Sequence, residues 1–177
     1  MGRLAGEDFN RLFSTYVHTA FRLETRDHYA VTDEAEAFRK FLAGEPYELD
    51  WHRTWLAGIR SITGSGRRMQ RVRLVSEPPT DYQRFELAVT PTNLAAGEDI
   101  RVLPRSRAAG LDLPAYDFWL FDDTRLGIMH FDDDGLFQGI EMIEDPTTMT
   151  AHHAASDRAL QHAMSYADYV SSNQLDL

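Results

Sequence analysis

The residues best placed to do chemistry cluster in one stretch, Arg71 to Glu86 (RVRLVSEPPTDYQRFE). Val72 and Leu74 alternate with Arg71 and Arg73, the period-two pattern of a strand with one buried face. Pro78 and Pro79 stop the ladder, because proline has no amide proton to donate. Thr80 followed by Gln83 has the spacing of a capping box, which predicts a helix starting there with Tyr82, Phe85 and Val89 inward. Ser76, Glu77, Thr80 and Asp81 then fall at the carboxyl edge of a sheet, where open α/β folds bind ligands. Arg73, Glu77, Asp81 and Arg84 equally suit mutual pairing that ties down a tight connection.

Other reactive groups form weaker constellations. Asp122 and Asp123 close a strand, where paired carboxylates could serve acid/base work with Asp112, Asp117 and Glu141 nearby, though nothing fixes their separation. His152 and His153 are adjacent, so on a helix they point about 100° apart and cannot share a metal as ligands at i and i+4 do. The run Asp132-Asp133-Asp134-Gly135 begins like a calcium loop, but position twelve falls on Ile143 where that loop needs glutamate. A solvated hairpin tip is the better account. The serines lack a nucleophile-elbow context. Gly64, Gly66, Gly97 and Gly110 form neither a dinucleotide fingerprint nor a P-loop. Neither a metal nor a cofactor is expected. Trp51, Trp55 and Trp119 read as core, with Trp119 flanked by Asp117 and Phe121.

Composition narrows the classes. The chain has 177 residues, no cysteine, and 18 Lys+Arg against 28 Asp+Glu, a formal charge of −10. Thiol catalysis, thiolate metal sites and disulfides are therefore excluded. The acidic balance opposes direct nucleic-acid binding, which rests on phosphate neutralisation. Arginines gather only modestly, at Arg67, Arg68, Arg71 and Arg73. No apolar run approaches the ~20 residues of a membrane helix, and MGRLAGEDF lacks a signal-peptide core, so the cytoplasm is expected.

The positioning elements follow from periodicity. Phe9, Leu12, Phe13, Tyr16, Val17 and Ala20 make one helical stripe, and Phe21 to Val31 reads as extended. Asp33 with Glu36 predicts a capped helix carrying Ala37, Phe38, Phe41 and Leu42. A third helix is expected from an N-cap at Asp50 to the Gly64 break. Pro91 and TNLAAGE predict a second break before the strand Asp99 to Leu103. Short strands around Phe118–Phe121, Ile128–Phe131 and Ile140–Ile143 follow, the last two joined at Asp134-Gly135. Asp145-Pro146 opens a closing helix. The fold expected is α/β (α+β): one mixed sheet covered by helices, with a C-terminal antiparallel meander. Residues 1–177 make one domain, with 1–45 as a semi-independent N-terminal cap and 46–177 as the core.

FRLETRD, FLAGEP, RVRLVSEPPTDYQRFEL, NLAAGEDIRVLPR and LPAYDFWLFDD, spread over almost the whole chain, resemble an uncharacterised actinobacterial domain family. That resemblance implies genes beside helix-turn-helix regulators in Streptomyces-like bacteria. From Asn93 onward the chain also resembles the sensor-like C-terminal domain of those regulators and, faintly, half of a phospholipase-D-type fold. That fold's H-x-K-x-x-x-x-D motif is not met. Setting its aspartate on Asp122 puts Ala115 and Asp117 at the histidine and lysine, and setting it on Asp123 puts Tyr116 and Phe118 there. No nucleophile remains in either register.

Three functions stay open. The favoured one is a non-catalytic regulatory or interaction protein that binds a helix-turn-helix regulator or a small ligand through Arg73, Glu77, Asp81, Tyr82, Arg84, Trp119 and Asp122. A phosphodiesterase-like hydrolase using Asp117, Asp122 and Glu77 is the rival. A structural homodimer is the third.

Overall fold

The computed structural model describes residues 2–175. Helix α1 spans Gly6–Thr15, strand β1 Thr19–Glu24, α2 Ala35–Leu42, α3 Arg53–Gly64, β2 Arg68–Val75, α4 Asp81–Ala95 and β3 Asp99–Pro104. A short α5 covers Arg105–Ala108, and β4 Phe118–Phe121, β5 Arg125–Phe131 and β6 Phe137–Ile143 form the meander. Helix α6 (Pro146–His162), β7 (Met164–Ser165) and α7 (Tyr166–Asn173) complete the order.

The strands make one mixed sheet in the order β6-β5-β4-β1-β2-β3-β7. β1, β2 and β3 are parallel neighbours, joined by helical crossovers, whereas β4 pairs antiparallel to β1 and starts the hairpin ladder. The N-terminal segment to residue 45 supplies β1, the middle strand of the sheet.

Alternation along the strands divides the core. Phe21, Leu23, Val72, Leu74, Phe118 and Leu120 face α6 and α5, packing on Ala159, Leu160 and Ala108. On the opposite face Ala20, Met69, Trp119 and Phe121 pack with Leu12 and Phe13 of α1 and Leu56 and Ile59 of α3. Helices α2 and α4 form their own aromatic cluster, Phe38, Phe41, Tyr82 and Phe85, with Tyr29 and Tyr47.

Local signals were met unevenly. The Thr80 capping box forms, with Thr80 Oγ1 accepting from the Gln83 amide and Gln83 Oε1 from the Thr80 amide. Asp145 caps α6 with Pro146 at its first turn. Neither Asp33 nor Asp50 caps a helix: Asp33 is the middle residue of a single 3-10 turn (Thr32–Glu34), and Asp50 opens another (Asp50–His52) and pairs with Arg53. The α1 stripe stops at Thr15, short of the expected Ala20, because the amides of Val17, His18 and Thr19 all donate to the Asp122 carboxylate.

The largest departure is at Pro91, which lies inside α4 and does not end it. Proline removes the donor that should meet the carbonyl four residues earlier, Leu87. The Tyr166 hydroxyl donates to that carbonyl at 3.0 Å, so the helix continues with its acceptor satisfied.

A candidate ligand cavity over a buried charge network

Strands β1 and β2 each present a polar file on the face covered by helices. Parallel register sets Arg22 beside Arg71 and Glu24 beside Arg73. In a half-exposed sheet these would be the solvent side. Here α4 and the segment from Tyr29 to Glu34 lie over them, so the charges are buried and must find partners within the protein.

Glu24 is the hub. It accepts from Arg71 Nη1 at 2.7 Å, Arg73 Nε at 2.8 Å and Arg22 Nη1 at 3.2 Å. Arg71 continues to Glu98 at 2.8 Å, and Glu98 accepts from Asn93 at 2.7 Å, whose own carbonyl oxygen meets His52 Nε2 at 2.8 Å. Arg73 reaches Glu86 on α4 at 3.1 Å. Arg22 reaches Asp117 at 2.9 Å, which also accepts from the Tyr29 hydroxyl at 2.7 Å and from the backbone and side chain of Thr25. The Tyr82 hydroxyl donates to Glu34.

Above this network lies a cavity of about 410 Å³, within the size range of small-molecule sites. Its floor includes Arg22, Glu24, Arg71 and Arg73, and its walls include Trp51, Trp55, Tyr82, Phe85, Trp119 and Phe131. It reaches the surface beside Val31 and Asp33, both exposed. Four lining side chains carry a buried polar atom without a protein partner: Arg22 Nε, Trp51 Nε1, Trp119 Nε1 and Glu86 Oε2.

Burial and charge sort the carboxyls into two kinds. Burial pushes Glu24 upward, but three guanidiniums outweigh it and hold the group well below the usual carboxylate range. Glu34 has no such company, and burial lifts it to about 7 against the pull of the Tyr82 hydrogen bond. Burial likewise raises Glu86, with Arg73 opposing and the Glu24 charge assisting. His52 is shifted downward by burial and so favours the neutral imidazole.

The residues singled out from sequence separate into three places. Arg73, Tyr82 and Trp119 line the cavity and are buried. Glu77, Asp81 and Arg84 are exposed outside it, Glu77 accepting from the Ser106 amide at 2.9 Å. Asp122 sits in the β4–β5 turn, at the opposite end of β1 from Glu24. Asp117, Asp122 and Glu77 therefore do not converge. His130 pairs with Glu141, and the adjacent His152 and His153 turn to different partners, Tyr116 and Asp123. Among the described residues no group of three or more His, Asp or Glu could hold a metal ion.

Sequence reasoning missed Arg22, Glu24, Glu34 and Glu86, and took Trp51 and Trp55 for plain core. The available signal was the pair of charged files, R-L-E in β1 and R-V-R in β2, on strands too central to have an open face. The arginine run also dissolves as a surface patch: Arg71 and Arg73 are buried, and Arg67 stacks on Tyr16 at 5.1 Å while donating to the carbonyls of Phe13 and Tyr16.

Comparison with curated proteins gives no significant match. A family model matches residues 7–171, nearly all of the chain. The chain with this sheet and this cavity thus belongs to the family described as domain of unknown function DUF6879.

Proposed function

We propose that the protein is a non-catalytic regulatory protein that takes a small molecule into the cavity under α4 and acts with a helix-turn-helix transcription regulator. One observation carries the reading: a cavity with aromatic walls over a floor whose charges are mostly spent on one another. Arg71, Arg73, Glu24 and Asp117 are committed to ion pairs, an arrangement suited to recognising a ligand's shape and polarity. The same buried pairs contribute little net stability compared with an apolar core, so their presence asks for another reason.

The regulator comes from the resemblance to families encoded beside such proteins in actinobacteria, and the cytoplasm follows with it. Among the described residues no helix is long and apolar enough to cross a membrane. Net charge of −10 suits a basic DNA-binding partner. Glu77, Asp81 and Arg84 are the exposed members of the expected partner surface. Co-expression with the neighbouring regulator and affinity capture tests this. A stable complex that D81R/R84E weakens supports it. Absence of a complex, with the regulator soluble and folded, sinks the partnership.

A second reading rests on the free Glu86 oxygen. A raised carboxyl lining a cavity is also how general acids and bases are built. The hydrolase expected from Asp117, Asp122 and Glu77 lacks that support, because Asp122 lies at the opposite end of β1 from the Thr25 contact of Asp117. Turnover lost in E86Q would favour a proton-transfer enzyme.

A further inference from the structure

With every carboxyl ionised, charge within the network would not balance. Five carboxyls, Glu24, Glu34, Glu86, Glu98 and Asp117, share three guanidiniums, Arg22, Arg71 and Arg73. Arg26 does not line the cavity; it stacks on the ring of Phe131 at 5.2 Å. The arginines are consumed by Glu24, Glu98 and Asp117, and Arg73 gives Glu86 one bond. The groups left short are Glu34 and Glu86, both on the cavity wall. Glu86 keeps one oxygen without a protein donor, and Glu34 is met by a neutral hydroxyl.

The surroundings add a second constraint. Trp51, Trp55, Tyr82, Phe85 and Phe131 face the same space, and aromatic faces attract cations more strongly when water is excluded. The indole N–H groups of Trp51 and Trp119 have no protein acceptor, so a lone pair is wanted on the ligand's body. An anion would face two carboxyls, and among the guanidiniums that line the cavity only Arg22 keeps an N–H, its Nε, without a partner; Arg26 Nε is likewise unpartnered but lies behind the Phe131 ring, outside the lining.

We propose that the cavity binds an organic cation, an aryl-alkyl amine whose ammonium group is held between Glu34 and Glu86 and whose body lies against the tryptophans. The proposal rests on the reading of the cavity as a small-molecule site and names the class of that molecule. An acidic protein also raises the local concentration of cations at its surface.

The test is a matched series with one body and three head groups: 4-phenylbutylamine, 4-phenylbutanol and 4-phenylbutyrate. All three tryptophans of the chain line the cavity, so intrinsic fluorescence reports occupancy. The amine is expected to bind more tightly than the alcohol, and the acid least. At about pH 9, where the raised carboxyls are ionised and the amine still carries its proton, E86Q and E34Q each lower amine affinity about ten- to a hundredfold and change alcohol affinity much less, from loss of a charge-assisted bond. Glutamine keeps the shape of the side chain, and an unchanged circular dichroism spectrum identifies variants that fold. If the alcohol or acid binds as well as the amine, the cavity reading stands and the cation is wrong. If none of the three perturbs the tryptophans, both fall. Equal amine affinity in wild type and both variants also overturns the proposal.

Discussion

Arg73 touches Glu86 through one carboxylate oxygen only, at 3.1 Å, and the second oxygen is buried without a protein partner. A fully paired carboxylate would stay ionised, as Glu24 does under three guanidiniums. Half-pairing lets burial win, and Glu86 holds its proton above the ordinary range. The difference between two glutamates in one network is thus a difference in the number of donors they receive.

That difference gives stability a pH slope. Unfolded, Glu34 and Glu86 ionise near 4.5, whereas folded Glu34 keeps its proton to about 7 and Glu86 is raised as well. The folded state then binds more protons than the unfolded state, so stability falls as pH rises. Their contribution is complete below 4.5 and declines through about 7 and beyond. Glu24 and Asp122, held low, act with the opposite sign and lose stability as pH falls through the acid range. Melting temperature is expected to peak in mildly acidic buffer and fall toward alkaline pH. E34Q and E86Q should each flatten the alkaline limb; a limb unchanged in both would refute the assignment.

Removing the hub should cost far more than removing the rim. Glu24→Gln leaves three buried guanidiniums sharing one carboxylate fewer. Breaking a buried pair by deleting one partner costs about 3–5 kcal/mol, since the remaining charge is stranded. Urea denaturation should show a loss of that size for E24Q and a much smaller one for E86Q, whose carboxyl is already near neutral. Equal losses would mean the three arginines are not held by Glu24.

The layered fold was legible because it follows from local patterns: alternation in β2 and β3, the Thr80 box, and Pro146 at the start of α6. The site was legible only in part. Arg73, Tyr82 and Trp119 stand in the cavity, but a charged file in a strand reads as solvent-facing until the helices above it are placed. Glu24 meets Arg71 and Arg73 across 47 and 49 residues of sequence, a pairing no local period encodes. Asp122 reads from sequence as site chemistry, and its three amide contacts could not be read there. Pro91 looked like a helix end, because the hydroxyl that rescues the helix arrives from Tyr166.

That rescue can be tested by a double-mutant cycle. Tyr166→Phe should leave the Leu87 carbonyl unsatisfied and cost about 1–3 kcal/mol. Pro91→Ala restores an amide donor for the same carbonyl, so in that background Tyr166→Phe should cost much less. Denaturation midpoints of the four proteins measure the coupling. Additive losses would mean that the hydroxyl and the proline act independently.

Asp122 separates stability from binding. Its carboxylate accepts from Val17 and His18 at 2.6 Å each and from Thr19 at 3.0 Å, and these amides hold its charge below the usual range despite some burial. Val17 and His18 are exposed, so water can replace part of what Asp122→Ala removes, and the loss should sit near about 1 kcal/mol. The stabilisation it provides fades as pH falls, so wild type and variant should converge in acid. Because the turn lies at the end of β1 away from Glu24, ligand-induced change in tryptophan fluorescence should be the same in both proteins. A variant with normal stability but lost ligand binding would instead put Asp122 in the site, and would require the cavity to extend to the β4–β5 turn.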